Sequence, residues 1–378
     1  MTPHPYGTTS DGLEIMRYSL VDPTSLASVD IITLGAIITS IRVPDHRGNL
    51  ADVVLGFDSL GDYLNPHPYF GAIAGRVAGR ITGAQFSLDG QIFQLAPNQP
   101  PNHLHGGPHG FDRHVWQAQP LTRADGAPSL RLSTISPADD QGYPGTVHAS
   151  VTYTFTPELN LIVEMAATTD RATPFNLTQH SYFNLSGEGS GSTLDHILEV
   201  PAQRYAPTDD RLTLLGRSES ATGSANDFRL PRRIGDVVDA LHQQHGDLYF
   251  LRDPLPMTAP RALSWVARLR APVSGRELNV HSDEDCLQFY TGVSLDGSII
   301  GKSGHAYGPY TGICLECEGY PDGPNTPALG DIILRPGHLL QRTTHYTFTA
   351  APPALFSPHA FFPRSPVASK PVHPNRHS

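Results

Sequence analysis

Short apolar stretches broken by turn residues recur along the chain, and few sustain a helical period. From residue 13 to about 57, Ile31-Ile32-Thr33-Leu34, Ile37-Ile38-Thr39-Ser40-Ile41-Arg42-Val43 and Asp52-Val53-Val54-Leu55 are split by Gly35, Pro44 and Gly48. That is the signature of β-branched strands joined by turns. Phe86-Ser87-Leu88 and Ile92-Phe93-Gln94-Leu95 alternate about Asp89-Gly90, a dipeptide favoured in tight hairpins. The same reading predicts strands over 130–135, 147–155, 160–169, 198–200, 262–270, 278–281, 287–291, 312–318 and 343–348. The one helix predicted covers about 234–245, between Pro231 and Gly246.

Composition strengthens this picture. The chain has 35 glycines and 35 prolines, close to a fifth of its 378 residues, which interrupts helices and suits short strands. Fourteen tyrosines and 15 phenylalanines are enough to fill a core between sheets. We therefore expect an all-β fold, a large antiparallel β-sandwich. No break in composition divides residues 10 to 350, so residues 1–350 read as one domain. Residues 351–378 carry Pro352, Pro353, Pro358, Pro363, Pro366, Pro371 and Pro374 without periodicity and are expected to be a disordered or loosely draped tail.

Charge removes several function classes. The formal net charge is -10, with no basic run, so nucleic acid is not an expected partner. Lys302 and Lys370 are the only lysines, leaving little scope for Schiff-base chemistry. Three cysteines, Cys286, Cys314 and Cys317, are too few for a disulfide framework and suit a reducing compartment. No run of about eighteen apolar residues is present. The expectation is a soluble cytoplasmic protein without membrane contact, monomeric or homodimeric.

Three clusters carry candidate chemistry. In Asn102-His103-Leu104-His105-Gly106-Gly107, a strand would put His103 and His105 on one face, as in some β-barrel metal sites. Contact with a substrate and plain hydrogen-bonded histidines are the other readings. In 173–185, polar residues alternate with aromatics around His180, whose ordinary pKa of about 6.5 suits proton transfer. In 312–325, a strand would send Cys314, Glu316 and Glu318 one way and Ile313, Leu315 and Cys317 the other. The two cysteines then cannot share a metal, and Glu316, among apolar neighbours, is a candidate base with a raised pKa. Gly75-Arg76-Val77-Ala78-Gly79-Arg80-Ile81 lacks a dinucleotide fingerprint, and its arginines are donors to a ligand oxygen or a carboxylate.

In this order the clusters resemble the aldose 1-epimerase (galactose mutarotase) family over about residues 11 to 350. The series includes Asp52–Phe57, Gly75–Ile81, Asn102–Gly107, Gly142-Tyr143-Pro144-Gly145, His180–Leu185, Asp227-Phe228-Arg229, Gln288–Gly292, Leu315-Glu316 with Pro321-Asp322, and Leu334-Arg335-Pro336-Gly337. The resemblance implies the mutarotase-type sandwich and interconversion of the α and β anomers of a free monosaccharide, with no cofactor and no metal. Glu316 matches the family's general base, His180 its general acid and His105 its second active-site histidine. Arg80, Asp247 and Gln288 match residues that hold sugar hydroxyls. A pH–rate profile with an acidic limb from the glutamate and an alkaline limb from the histidine is implied. Three positions depart from the family: Gly79 stands where Asn is common, Gln179 replaces Asn, and Gly246-Asp247-Leu248-Tyr249-Phe250 has an altered flank. A relative acting on sugar phosphates, using Arg76, Arg80 and Arg113, and a non-catalytic sugar-binding protein are the nearest alternatives, followed by a cupin-like metalloprotein built on His103 and His105.

Overall fold

Burial alternates residue by residue along the long strands of the computed structural model, which describes residues 1–241 and 246–352. In Asn160–Thr169, Leu161, Val163, Met165 and Ala167 point inward while Glu164 and Thr168 stay exposed, as a pleated strand with one wet face requires. This strand lies within a nine-stranded antiparallel sheet. Its order is Gln117–Thr122, Pro128–Ser136, Val147–Phe155, Asn160–Thr169, Leu340–Ala350, Arg276–Ser282, Ser264–Arg270, Ile197–Glu199 and Arg232–Arg233. A six-stranded sheet faces it, in the order Tyr182–Phe183, Ile313–Glu318, Cys286–Tyr290, Leu248–Phe250, Arg204–Ala206 and Glu219–Ser220.

Apolar side chains close the space between them. Val151, Val163 and Tyr346 of the larger sheet share a core with Leu287, Phe289 and Leu315 of the smaller. The rings of Phe183 and Tyr346 are 5.7 Å apart, and the Tyr346 hydroxyl donates to the Leu315 carbonyl at 3.4 Å. A five-stranded meander from His4–Thr8 to Leu50–Asp52 adds Leu20, Val29, Ile31 and Ile41 to the same core. The all-β antiparallel sandwich expected from the sequence is thus present. The strands predicted over 147–155 and 160–169 have those limits, and the predicted hairpin pairs Gln85–Leu88 with Gln91–Gln94. Asp89 and Gly90 both take positive φ, 49° and 78°, which a two-residue turn matching the strand twist demands.

The predicted helix over 234–245 is not formed in its described part. Ile234–Asp236 and Val238–Ala240 are separate single 3₁₀ turns, and residues 242–245 lie outside the described residues. Ile234, Val237, Val238 and Leu241 do recur at helical spacing and are all buried. Gly235 and two adjacent valines favour helix weakly, however, and the backbone leaves the helical range at Val237, whose φ is -132°. One α-helical turn, Leu60–Leu64, forms where none was predicted, with Ser59 capping the Asp62 N–H. Its Ser-x-x-Asp start is readable afterwards as a capping signal. The 351–378 tail lies outside the described residues from 353 onward. No helix among the described residues is long and apolar enough to cross a membrane.

Two buried polar knots fix the segment before Arg80. The Arg76 guanidinium donates to the carbonyls of Ser136, Pro137, Pro144 and Gly145 and to the hydroxyls of Ser136 and Thr173. Asn176 donates to the carbonyls of Ala78 and Gly319 at 3.2 Å and accepts from Gly319 N–H at 2.7 Å, tying that segment to the end of the 313–318 strand. Arg76→Leu is therefore expected to lower stability by about 3 kcal/mol or more, because several buried acceptors lose their donor at once. Urea unfolding of the variant checks this. A midpoint matching the unsubstituted protein would show that Arg76 is not structural.

Candidate active site

The strand Ile313–Glu318 is buried on both faces. Ile313, Leu315 and Cys317 join the core, while Cys314, Glu316 and Glu318 face the other way, as alternation predicts. All three cysteines are free and buried. Register then sets the neighbours of Glu316. Gln288 pairs opposite it and Leu248 opposite Gln288, so Asp247, one residue earlier, arrives at the same cleft.

His180 reaches Glu316 from a different segment. Its N–H donates to the Ala72 carbonyl and its carbonyl accepts from Gly71 N–H, both at 2.9 Å. Its ring is held between Tyr69 and Tyr182, with centroids 5.8 and 5.2 Å away. Nε2 lies 3.3 Å from Glu316 Oε2, and Nδ1 lies 3.6 Å from the Cys314 sulfur. His105 comes third, its ring 5.1 Å from that of His180.

His103 and His105 do not share a strand face. The strand that His103 begins ends at Leu104, and His105 adopts φ 50°, a left-handed conformation that swings its ring into the cleft. His105 Nδ1 accepts from Gly79 N–H at 3.1 Å, which leaves the proton on Nε2. His103 points elsewhere, with Nδ1 2.7 Å from the Ala96 carbonyl and its ring edge-on to Tyr143. A metal site joining His103 to His105 is therefore not what the fold builds. The group with ligand atoms close enough for a cation is instead His105, His180 and Glu316, within 4.8 Å of one another among the described residues.

The expected hydroxyl-binding residues converge here as well. Arg80, Asp247 and Gln288 line the same cleft of about 240 Å³, together with His105, His180 and Glu316. Arg80 Nε donates to Gln99 at 2.6 Å, and Gln288 Nε2 donates to the Phe289 carbonyl at 2.9 Å. Asn226 donates to Asp247 Oδ2, whereas Asp247 Oδ1 is buried with no partner among the described residues. Arg76 and Arg113 are not brought in. Arg76 is occupied as described, and Arg113 pairs with Asp112 and donates to the carbonyls of Tyr63, Leu64 and Asn65. Gln179 also faces away from the cleft, donating to the Gly71 carbonyl and accepting from Ser181 N–H. Gly79 has a local reason: its φ is 74°, and a Cβ there would lie 2.3 Å from Pro321. Sequence reasoning missed Tyr69 and Asn226, which no motif flagged.

Burial dominates the electrostatics. Loss of water raises the carboxyl of Glu316 above the usual range, with the Arg80 guanidinium opposing, and drives Asp247 up to about 7. The same cause lowers His180 to about 4 and holds His105 well below the ordinary histidine range. The site thus pairs a reluctant carboxylate with a reluctant imidazolium at hydrogen-bonding range.

Comparison with known proteins agrees with this arrangement. The family model described as aldose 1-epimerase matches residues 16–347. Galactose mutarotase of Rattus norvegicus is 40% identical over 324 residues, 86% of this chain and 92% of the relative. That of Homo sapiens is 40% identical over 342 residues, 90% and 96% of the two chains. The solved structure of an aldose epimerase homologue from C. elegans superposes with a TM-score of 0.80 at 28% identity, covering 89% of this chain and 99% of that one. Over nearly the whole sandwich, and through the strand that carries Glu316, this chain belongs to the aldose 1-epimerase family.

Proposed function

We propose that the chain interconverts the α and β anomers of a free aldose, such as galactose or glucose, by acid–base opening and reclosure of the ring. The observation that carries the reading is the buried pair formed by Glu316 Oε2 and His180 Nε2, 3.3 Å apart, with His105 beside it. Burial disfavours both charged forms, so over intermediate pH the pair holds one proton between the two atoms. In the productive state that proton is on His180 and Glu316 is ionised. Glu316 takes the proton from the C1 hydroxyl, the C1–O5 bond breaks, and O5 receives the proton from His180 Nε2. The C1 aldehyde turns about C1–C2, and closure runs the same transfers in reverse. His105, with its proton on Nε2, is assigned a hydrogen bond to the ring oxygen, and Arg80, Asp247 and Gln288 the remaining hydroxyls.

The charge balance of the cleft favours a neutral sugar over a phosphorylated one. Among the described residues lining the cleft, Arg80 is the lone lysine or arginine, against Asp247, Glu316 and Glu318. A dianionic phosphate would meet more repulsion than attraction there. The three unpaired buried thiols support work in the reducing cytoplasm.

Polarimetry of freshly dissolved α-D-galactose, α-D-glucose and L-arabinose tests the reaction directly. Accelerated decay to an unchanged final rotation is expected, reduced by about 10²–10⁴-fold in Glu316→Gln. Near-normal rates in that variant would show the base to be misassigned.

The pH–rate profile should be a bell belonging to the pair. Below about pH 4, where the lowered His180 gains a proton, the pair holds two protons and no base remains. Above the raised pKa of Glu316 the last proton leaves and no acid remains. The acidic limb thus falls below the ordinary histidine range and the alkaline limb above the ordinary glutamate range, the reverse of the assignment expected from sequence. Limbs at unshifted values would contradict this account.

Because His105, His180 and Glu316 also offer three ligand atoms in reach of one cation, chelation separates the readings. Dialysis against EDTA should leave the rate unchanged. Loss of activity restored by a divalent metal would replace the proton-transfer account with a metal-assisted one.

A further inference from the structure

Glu318 stands two residues beyond Glu316 on the same face of the strand and is 1% exposed. It lines the cleft, yet its Oε2 has no hydrogen-bond partner among the described residues. An unpartnered carboxyl oxygen at this depth costs free energy unless a ligand supplies the donor. Asp247 Oδ1 is a second such oxygen on the same cleft, 3% exposed at residue level. The wall opposite Glu318 is Gly79, where a Cβ would lie 3.3 Å from Glu318 Oε1, so no side chain there provides a donor. The mutarotation scheme uses neither Glu318 nor its open valence.

We propose that Glu318 is a further substrate-binding residue, and that with Asp247 it makes the cleft selective for aldoses bearing a protonated amino group over neutral hexoses, and closed to anionic sugars. The proposal rests on the mutarotase reading for its substrate frame. An ammonium group brings three donors and a positive charge, whereas a hydroxyl brings one donor and none. Burial first, and then the neighbouring carboxyls of Glu316 and Glu284, disfavour ionisation of Glu318, and the Arg80 guanidinium opposes them. A cationic ligand lets Glu316 and Glu318 ionise, so the charged hydrogen bond is worth more than the neutral one it replaces. A sugar carboxylate or phosphate adds a further negative charge to the same walls and is excluded.

The test compares D-galactosamine, D-galactose and D-galacturonate in the polarimetric assay, at a pH where the amine is protonated, with the unsubstituted protein and Glu318→Gln. The expected result is a KM for galactosamine below that for galactose by about tenfold or more, collapsing toward equality in the variant, with galacturonate poorest in the unsubstituted protein. A galactosamine-to-galactose KM ratio that is the same in both proteins would overturn the proposal. Thermal stabilisation of the unsubstituted protein by each sugar provides a second readout that needs neither turnover nor a folded variant. Equal or weaker stabilisation by galactosamine than by galactose would also overturn it. Failure of every sugar to be turned over, with galactosamine still stabilising best, would sink the mutarotase reading while leaving the Glu318 assignment standing.

Discussion

Taking a carboxylate out of water is the constraint from which the rest of this site follows. Glu316 sits mid-strand, 3% exposed, where an isolated charge would be costly. Burial raises its carboxyl above the usual range, the Arg80 guanidinium opposes that shift, and His180 Nε2 stands within reach of Oε2. The histidine has the complementary difficulty, since burial disfavours its cation. Each group can carry charge only in the presence of the other or of a ligand. With the carboxyl raised and the imidazole lowered, the favoured arrangement keeps the proton on Glu316 and both groups neutral, so the balance between the neutral and the ionised pair turns on what a bound group adds.

Such balance depends on geometry being held from outside the cleft. The segment that brings Arg80 to Glu316 is pinned three times on its far side: by the guanidinium of Arg76, by Asn176 between Ala78 and Gly319, and by Asp322 accepting from Thr82 N–H at 3.0 Å. Within seven residues one arginine is fully committed to the scaffold and the next is presented to the cleft. His105 is placed by a similar division, its backbone in a strained left-handed turn and its Nδ1 satisfied by Gly79, so that only the outer nitrogen is offered. Side chains that line the cleft are thus oriented by bonds made outside it.

How far these features were legible in the sequence depends on the range of the interaction. Strand alternation is local, so the sandwich class, the 147–155 and 160–169 strands and the inward and outward halves of 313–318 could be read directly. Over its described part, 234–241, the helix expected at 234–245 is absent because a genuine 3.6-residue stripe was outweighed by the weak helix preference of Gly235 and two valines, and the backbone breaks at Val237. The six site residues were reached through family resemblance and do converge on one cleft. Pattern alone misjudged the histidines: His103 and His105 look equivalent at spacing two, and only the positive φ at His105 separates them. Arg76 and Arg80 look equally equivalent, and what distinguishes them is a nest of carbonyls about sixty residues downstream. Asn226 and Tyr69 left no trace because their partners, Asp247 and the two histidines, are assembled by tertiary contact.

The two-sided burial of Ile313–Glu318 has a consequence for folding. A slip of one residue in the pairing of this strand with Cys286–Tyr290 would exchange its two faces. Glu316 and Glu318 would enter the apolar core, and Leu315 and Cys317 would take their place in the cleft. Strands with two hydrophobic faces lack such a penalty and can settle in the wrong frame. Here the two acidic residues that face the cleft also act as an alignment check on this strand, so replacing them with apolar residues would relax the specification of register.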